Sequence, residues 1–432
     1  MTSRRDLMRS ALAIAPLTML SSPSARSVTQ WLRTLPPDTN VDSIASNEDF
    51  WRTVQEAFAV DRTITNLNNG GVSPSPRSVQ DALRRMTEET NRLPAKVLWQ
   101  EMEPKQETVR LGLASMFGVA PTEVAITRNA SESLQNIQFG MTLQRGDEVL
   151  TTTHDYPRML TTWDQRVRRD GIVLKKVPVP TPLKDTAALV RSIEDAITPR
   201  TKVIHVSHVV FLTGQIMPVG EICRMARRRG IPCIVDGAHS FAQFPFTRDE
   251  LDCDFFGTSL HKWLCGPIGT GMLYIRKERI SDIWPLMAAP ADMASDIKKF
   301  EEIGTNPAPI HNALAEAIDF NVSLGLDRKA ARYRYLHSIW TDRLKKYEHV
   351  SFMTDIENPA NQCALVLVHI DGTDPNKLTS WLYEKHRIFT VAIAHEDFKG
   401  LRIGPSIYTT RRDMERFADA MESVAKGTVK LD

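Results

Sequence analysis

The residue types best suited to chemistry lie between Ile234 and Tyr274. Ile234-Val235-Asp236-Gly237-Ala238-His239-Ser240 is a short apolar run that ends in an acid followed by glycine. A buried parallel strand delivers a carboxylate to the carboxyl edge of a sheet in this way. A second apolar run, from Leu251, ends in Ser259-Leu260-His261-Lys262-Trp263. Gly266-Pro267-Ile268-Gly269-Thr270-Gly271 then turns the chain into Met272-Leu273-Tyr274, which reads as an edge or antiparallel strand. Two neighbouring strand ends would hold Asp236 and Lys262 a few ångströms apart. Such a pair can be a structural ion pair. It can also serve pyridoxal phosphate, which needs an amine for its imine and an acid that keeps the ring nitrogen protonated.

Asp-Gly-Ala-His, Ser-x-His-Lys-Trp and Gly-Pro-x-Gly-Thr-Gly together resemble the class V pyridoxal-phosphate aminotransferases. Within that family the pattern is most similar to the isopenicillin N epimerase-like branch, relatives of the cysteine desulfurases. The resemblance runs from about Asn66 to the C-terminus. It implies an α/β chain of fold type I, with a large domain built on a mostly parallel seven-stranded sheet and a smaller α+β C-terminal domain. It implies pyridoxal 5'-phosphate as cofactor, with Lys262 as the catalytic Schiff-base lysine and Asp236 at the ring nitrogen. His239 would contact the phenolate oxygen, and Ser259 and His261 the phosphate. Ala130 and Ser131, at a helix start after Val124-Ala125-Ile126-Thr127, would also hold the phosphate. Tyr156, third in the turn His154-Asp155-Tyr156, would stack on the ring. Arg402, in Arg402-Ile403-Gly404-Pro405, would bind the substrate's α-carboxylate, and Asn69 would lie on the substrate side. Thr305, after Gly304, would reach the cofactor phosphate of a partner subunit, so a homodimer is implied.

One departure from the family pattern stands out. Relatives carry Ser-Asn-Val-Thr-Gly where this chain has Val210-Phe211-Leu212-Thr213-Gly214, so Phe211 replaces a polar contact. The motifs do not specify the bond that changes. Transamination, epimerisation, β-elimination and oxidative decarboxylation begin alike. An epimerase or aminotransferase leads; a lyase, a cysteine-desulfurase-like enzyme, or oxidative tailoring of a peptide natural product such as a siderophore are the alternatives. Desulfurases keep a nucleophilic cysteine shortly before the C-terminal arginine, and Lys385 to Leu401 contains none. Cys363 lies upstream, in an apparent strand.

These groups need a scaffold. Strands are predicted at Val124–Thr127, Glu148–Thr152, Val173–Val177 and Thr201–Val210, alternating with helices at Val79–Arg92, Pro104–Phe117 and Ala187–Ala196. That alternation argues for a parallel sheet with ligand at the strand carboxyl ends. Helices are also predicted at Phe50–Val60, Asn312–Leu324, Arg332–Tyr347, Pro375–Lys385 and Arg412–Val424, with a strand at Cys363–Ile370. The resulting division is 1–27 signal peptide, 28–47 linker, 48–65 a segment packing with the small domain, 66–311 the large domain and 312–432 the small one.

The charges nearly balance, at +2 over 432 residues, which argues against nucleic acid as a partner. Five scattered cysteines do not make a disulfide framework, and no metal-ligand pattern occurs. Gly266-x-x-Gly269-x-Gly271 leads into a strand, unlike a dinucleotide loop. Ser3-Arg4-Arg5-Asp6-Leu7-Met8 resembles a twin-arginine export signal. The apolar stretch after it, Ala11 to Leu20, is too short for a permanent membrane anchor. Cleavage near Ala25, the twin-arginine export machinery as a partner, and a periplasmic or extracytoplasmic location are the expectations.

Overall fold

The computed structural model describes residues 23–35, 40–429 and 431. Most of the proposed signal, with Arg4 and Arg5, lies outside the described residues. After the short β1 (Thr65–Asn66), a large sheet is built from β2 (Val124–Thr127), β3 (Glu148–Thr152), β4 (Val173–Val177), β5 (Thr201–Ser207), β6 (Cys233–Asp236), β7 (Phe255–Ser259) and β8 (Gly271–Ile275). Its order is β2-β8-β7-β6-β5-β3-β4. All neighbours are parallel except β8, which runs antiparallel to both β2 and β7. β6, β7 and β8 are buried along their whole length. Helices cover both faces of such a sheet, so apolar runs rather than alternating patterns mark its central strands. The mostly parallel seven-stranded sheet implied by the motifs is therefore present.

The second sheet is antiparallel and belongs to the C-terminal part. It joins β9 (Val350–Phe352), β10 (Val366–Ile370), β12 (Val391–Ala394) and β13 (Lys399–Ile403) in the order β12-β13-β10-β9. β11 (Ile388–Phe389) pairs instead with β1, in parallel, and so ties the N-terminal segment to this domain. Helices Leu326–Leu344 and Arg411–Ala425 cover the second sheet, and Trp340, Phe417 and Met421 are buried in its core.

Two parts of the predicted division need correction. The stretch read as a linker begins as a helix, Pro23–Thr34. Its Val28 and Leu32 are buried with Trp51, Phe320 and Tyr333, so this segment is part of the packed core. The second correction concerns residue 312. Helix Leu314–Leu324 buries Leu314, Ala317 and Ile318 in the core beneath the large sheet, not in the small domain. The chain changes over one helix later, at Gly325, whose φ of 85° breaks the helical path before Leu326. Smaller differences concern ends: β5 stops at Ser207, and β10 begins only at Val366.

Candidate functional site

The carboxyl ends of the central strands make the floor of the site. β6 ends at Asp236, with Ser207 of β5 beside it in register. β7 ends at Ser259, and the turn that follows carries His261 and Lys262. Asp236, His239, Ser259, His261 and Lys262 line one cavity of about 410 Å³. Ala130, Ser131, Tyr156 and Arg402 line it too, from three other parts of the chain. A larger cavity, about 980 Å³, lies between Val72, Ile268 and Phe389, but its walls offer no lysine, arginine or histidine. The smaller cavity holds the groups able to do chemistry.

Asp236 and Lys262 do not form the structural ion pair that remained open from sequence. Among the described residues no carboxylate lies within salt-bridge reach of the Lys262 amine. The Lys262 Nζ instead sits 3.1 Å from His239 Nε2. Burial lowers the Lys262 pKa to about 8, against the pull of Asp236 and with a push from Arg402. An appreciable fraction of this amine is therefore neutral, and nucleophilic, near neutral pH. Burial raises the Asp236 pKa to about 6, only partly offset by the Ala238 amide, which donates to Oδ1 at 2.9 Å, and by Lys262. Burial, with Lys262 and Arg402 nearby, holds His239 neutral.

These shifts have a cost in the cofactor-free protein. The folded pKa of Asp236, about 6, lies above its ordinary 3.8. Folding stability therefore falls as pH rises through that interval, and the full penalty applies above it. It amounts to about 3 kcal/mol at most, since each pKa unit is worth about 1.4. Asp236→Asn should raise the melting temperature of cofactor-free protein at pH 8 by roughly a few degrees. The gain should shrink toward pH 5. Scanning calorimetry at both values checks this, and an equal gain at each would remove the carboxylate's charge as the cause.

The other end of the cavity suits an anion. Helix Ala130–Gly140 points its N-terminus at it, capped by Asn129, whose side chain accepts from the Glu132 amide at 2.9 Å. Helix N-termini favour negative charge. The Ser259 hydroxyl reaches the same point, accepting from the Ala130 amide at 2.9 Å. β8 starts so close by that a β-carbon on Gly271 would lie 2.6 Å from the Asn129 backbone, so only glycine lets strand and helix end meet.

The residues present fit pyridoxal phosphate on several independent points. His239 Nδ1 and His261 Nδ1 are buried without a partner among the described residues. Asp236 is a buried carboxylate whose recorded hydrogen bond comes from one backbone amide. An amine, an imidazole, a buried acid and an anion-binding helix end surround one space. Together they match the aldehyde, phenolate, ring nitrogen and phosphate of that molecule.

Arg402 is 7% exposed and lines the cavity. Its Nη1 donates to the Phe211 carbonyl at 2.5 Å and its Nη2 to Asn68 Oδ1 at 3.0 Å. No carboxylate among the described residues pairs with it. Burial pulls its pKa down to about 10. A buried guanidinium with no counter-ion is costly unless an anion arrives.

Two expected site residues are placed elsewhere. Asn69 is fully buried behind the cavity wall, not in it. Its amide donates to Asn66 O and Gly404 O, and its Oδ1 accepts from Tyr408 at 2.6 Å. With those groups spent, Asn69 shapes the loop whose Gly70 and Gly71 do line the cavity. Thr305 is exposed and outside its own chain's cavity. Phe211, in place of the family asparagine, forms wall: its ring meets Tyr156 edge-on, centroids 5.2 Å apart.

Sequence reasoning missed Ser207, Met159, Val391 and Ile393 as lining residues. The predicted strand ran on to Val210, which hid Ser207 at the true carboxyl end of β5. Val391 and Ile393 come from the second sheet, and no local pattern announces that it closes over the first. Ser207 also binds Asp155: its amide and hydroxyl each donate to Oδ1 at 2.7 Å. Thr151 and Thr152 saturate the other oxygen, so Asp155 fixes the turn that presents Tyr156.

This arrangement, on a doubly wound sheet with a second domain at the strand ends, defines a fold-type I pyridoxal-phosphate enzyme. The sequence model of the family described as "Aminotransferase class-V" matches residues 65–417. The chain belongs to that family, and pyridoxal phosphate is its cofactor. It is similar to isopenicillin N epimerase of Streptomyces clavuligerus, 28% identical over 391 residues, covering 87% of this chain and 98% of that protein. It is also similar to a cysteine desulfurase of Haloferax volcanii, 26% identical over 388 residues, 83% of this chain and 88% of that one. Among solved structures, the cysteine desulfurase CsdA of Escherichia coli shares the fold, with a TM-score of 0.76 and 21% identity over 88% of this chain and 99% of that chain.

Proposed function

We propose that the enzyme removes and returns the α-proton of an amino acid or an amino-acid-derived substrate, in a reaction of the epimerase or aminotransferase type. The observation that carries this is Arg402: a buried cation with no carboxylate partner among the described residues, in the same cavity as the Lys262 amine. Pyridoxal phosphate, when bound, supplies the aldehyde that joins the substrate amine and a ring that accepts electron density from the α-carbon. The chain's own groups do the rest. Asp236 would hold the ring nitrogen's proton, and His239 would face the phenolate oxygen. Ser259, His261 and the helix end at Ala130 and Ser131 would hold the phosphate. Tyr156 and Phe211 cover the site against water. Arg402 would orient the α-carboxylate through two parallel donors, and the Lys262 amine would take the α-proton. Incubating the loaded enzyme with free and peptide-bound amino acids in deuterated water tests this. Exchange at an α-carbon is expected; no exchange with any amino acid or peptide would end the proposal.

A desulfurase reading lacks its nucleophile. All five cysteines are buried and none lines the cavity. Burial pushes the Cys363 thiol up to about 12. Thiols of that kind are inert.

In a homodimer Thr305 would reach the phosphate of the partner subunit's cofactor. Trp284 and Ile268, 73% and 72% exposed, together with Leu286 and Met287, give apolar surface that a second copy would cover. Thr305→Ala should therefore weaken cofactor retention while Lys262 stays in place, measured by dialysis against buffer. Full activity from a monomer at nanomolar concentration would remove Thr305 from the site. Export by the twin-arginine route to the periplasm rests on Arg4 and Arg5. Changing both to lysine should keep the holoprotein inside the cytoplasmic membrane; unchanged fractionation would rule the signal out. No described helix is long and apolar enough to cross a membrane.

A further inference from the structure

His154 follows β3 and is 1% exposed, yet neither ring nitrogen has a hydrogen-bond partner among the described residues. Leaving both nitrogens of a buried imidazole unpaired is expensive, so a ligand or a water is called for. Opposite it stands the β12–β13 turn of the second sheet. There His395 meets His154 edge-on, with ring centroids 5.0 Å apart. His395 Nδ1 lies 3.6 Å from Asp397 Oδ2. One donor atom from each of His154, His395 and Asp397 lies within 4.8 Å of the others. Phe398 closes the group, stacked on His395 at 4.8 Å and edge-on to His154 at 5.3 Å.

We infer that His154, His395 and Asp397 bind a divalent transition-metal ion of the zinc class, which clasps the β12–β13 turn to the turn after β3. Two imidazoles and one carboxylate suit zinc or its first-row neighbours; calcium and magnesium want oxygen donors. Bond lengths of about 2.1 Å put tetrahedral ligand atoms roughly 3.4 Å apart, so the group must contract slightly. Asp397, whose side chain is 65% exposed, is free to turn inward. His395 Nδ1 holds only a 3.3 Å contact from the Asp397 amide, a weak claim on its lone pair. Asp155 adds negative charge beside His154, while its own oxygens remain committed to Thr151, Thr152 and Ser207.

The position gives the clasp a consequence. Tyr156, two residues beyond His154, lines the substrate cavity, as do Val391 and Ile393 on β12. The ion would join the two sides of the cavity's rim across the domain boundary. The donor residues lie 241 positions apart in sequence (154 to 395), so no spacing motif could reveal them.

The test uses the cofactor-loaded full chain, stripped with a chelator, dialysed and titrated with Zn²⁺ and with Co²⁺. One equivalent per chain is expected at micromolar metal. Co²⁺ should give visible absorption bands of a low-coordinate site, and Zn²⁺ should raise the melting temperature. Asp397→Asn and His395→Ala, both at the less buried side of the group, should each weaken binding by at least the roughly 10–100-fold typical of losing even an outer partner. His154→Phe should abolish it; the other two variants decide the matter if that one fails to fold. Absence of stoichiometric binding, or binding equal in Asp397→Asn, His395→Ala and the unmodified protein, would overturn the inference and leave His154 to a buried water.

Discussion

Lys262→Ala is expected to reduce turnover by far more than any other single change in the cavity. In the proposed reaction the residue serves twice, as the amine that holds the cofactor and as the base that moves the α-proton. Loss of a positioned general base alone costs roughly 10²–10⁴-fold, and loss of the covalent tether adds to that. The variant should fold, because removing a buried amine whose pKa is pulled down to about 8 relieves desolvation rather than breaking an ion pair. Lys329, which is fully buried, cannot take over. Its Nζ donates to Trp263 O and to Asn321 Oδ1, outside the cavity lining. Steady-state assay of the exchange reaction, with circular dichroism to confirm folding, checks this. Near-normal turnover in a folded Lys262→Ala protein would dismantle the mechanism.

Arg402→Lys should separate binding from cofactor chemistry. Lysine keeps the charge but loses the planar fork, and it cannot hold Phe211 O and Asn68 while also receiving a carboxylate. Losing one charge-assisted hydrogen bond costs about 1.5–3 kcal/mol, which corresponds to roughly 10–150-fold weaker substrate binding. KM should rise by that order while the cofactor's absorption stays unchanged. A substrate analogue lacking the α-carboxylate should be handled equally by both proteins. If the unmodified enzyme turned over acid and decarboxylated amine equally well, carboxylate anchoring would play no part, and the substrate would be an amine or a residue within a larger peptide.

The legible part of this chain was the part in which chemistry and strand ends coincide. Asp236-Gly237 and Ser259-x-His261-Lys262 could be read because an apolar run that stops at a polar residue has few other uses. Ala130 and Ser131 were legible for the same reason, as a strand followed at once by a helix start. What stayed hidden depended on tertiary placement. Asn69 lies in an Asn-Gly turn, and nothing local says whether its amide faces ligand or loop. Helix Leu314–Leu324 has an apolar face, but the sequence does not say which domain's core receives it. Val28, Trp31 and Leu32 are three apolar residues in a polar stretch, too few to announce a buried helix. Val391, Ile393 and the His154–His395 contact exist only because the second sheet closes on the first.

Reduction of the purified, yellow holoprotein with borohydride, followed by proteolysis and mass spectrometry, tests the central claim most directly. The account predicts a single modified peptide, carrying the reduced cofactor on Lys262. Label on Lys329, Lys202 or Lys176 with Lys262 unmodified would contradict it.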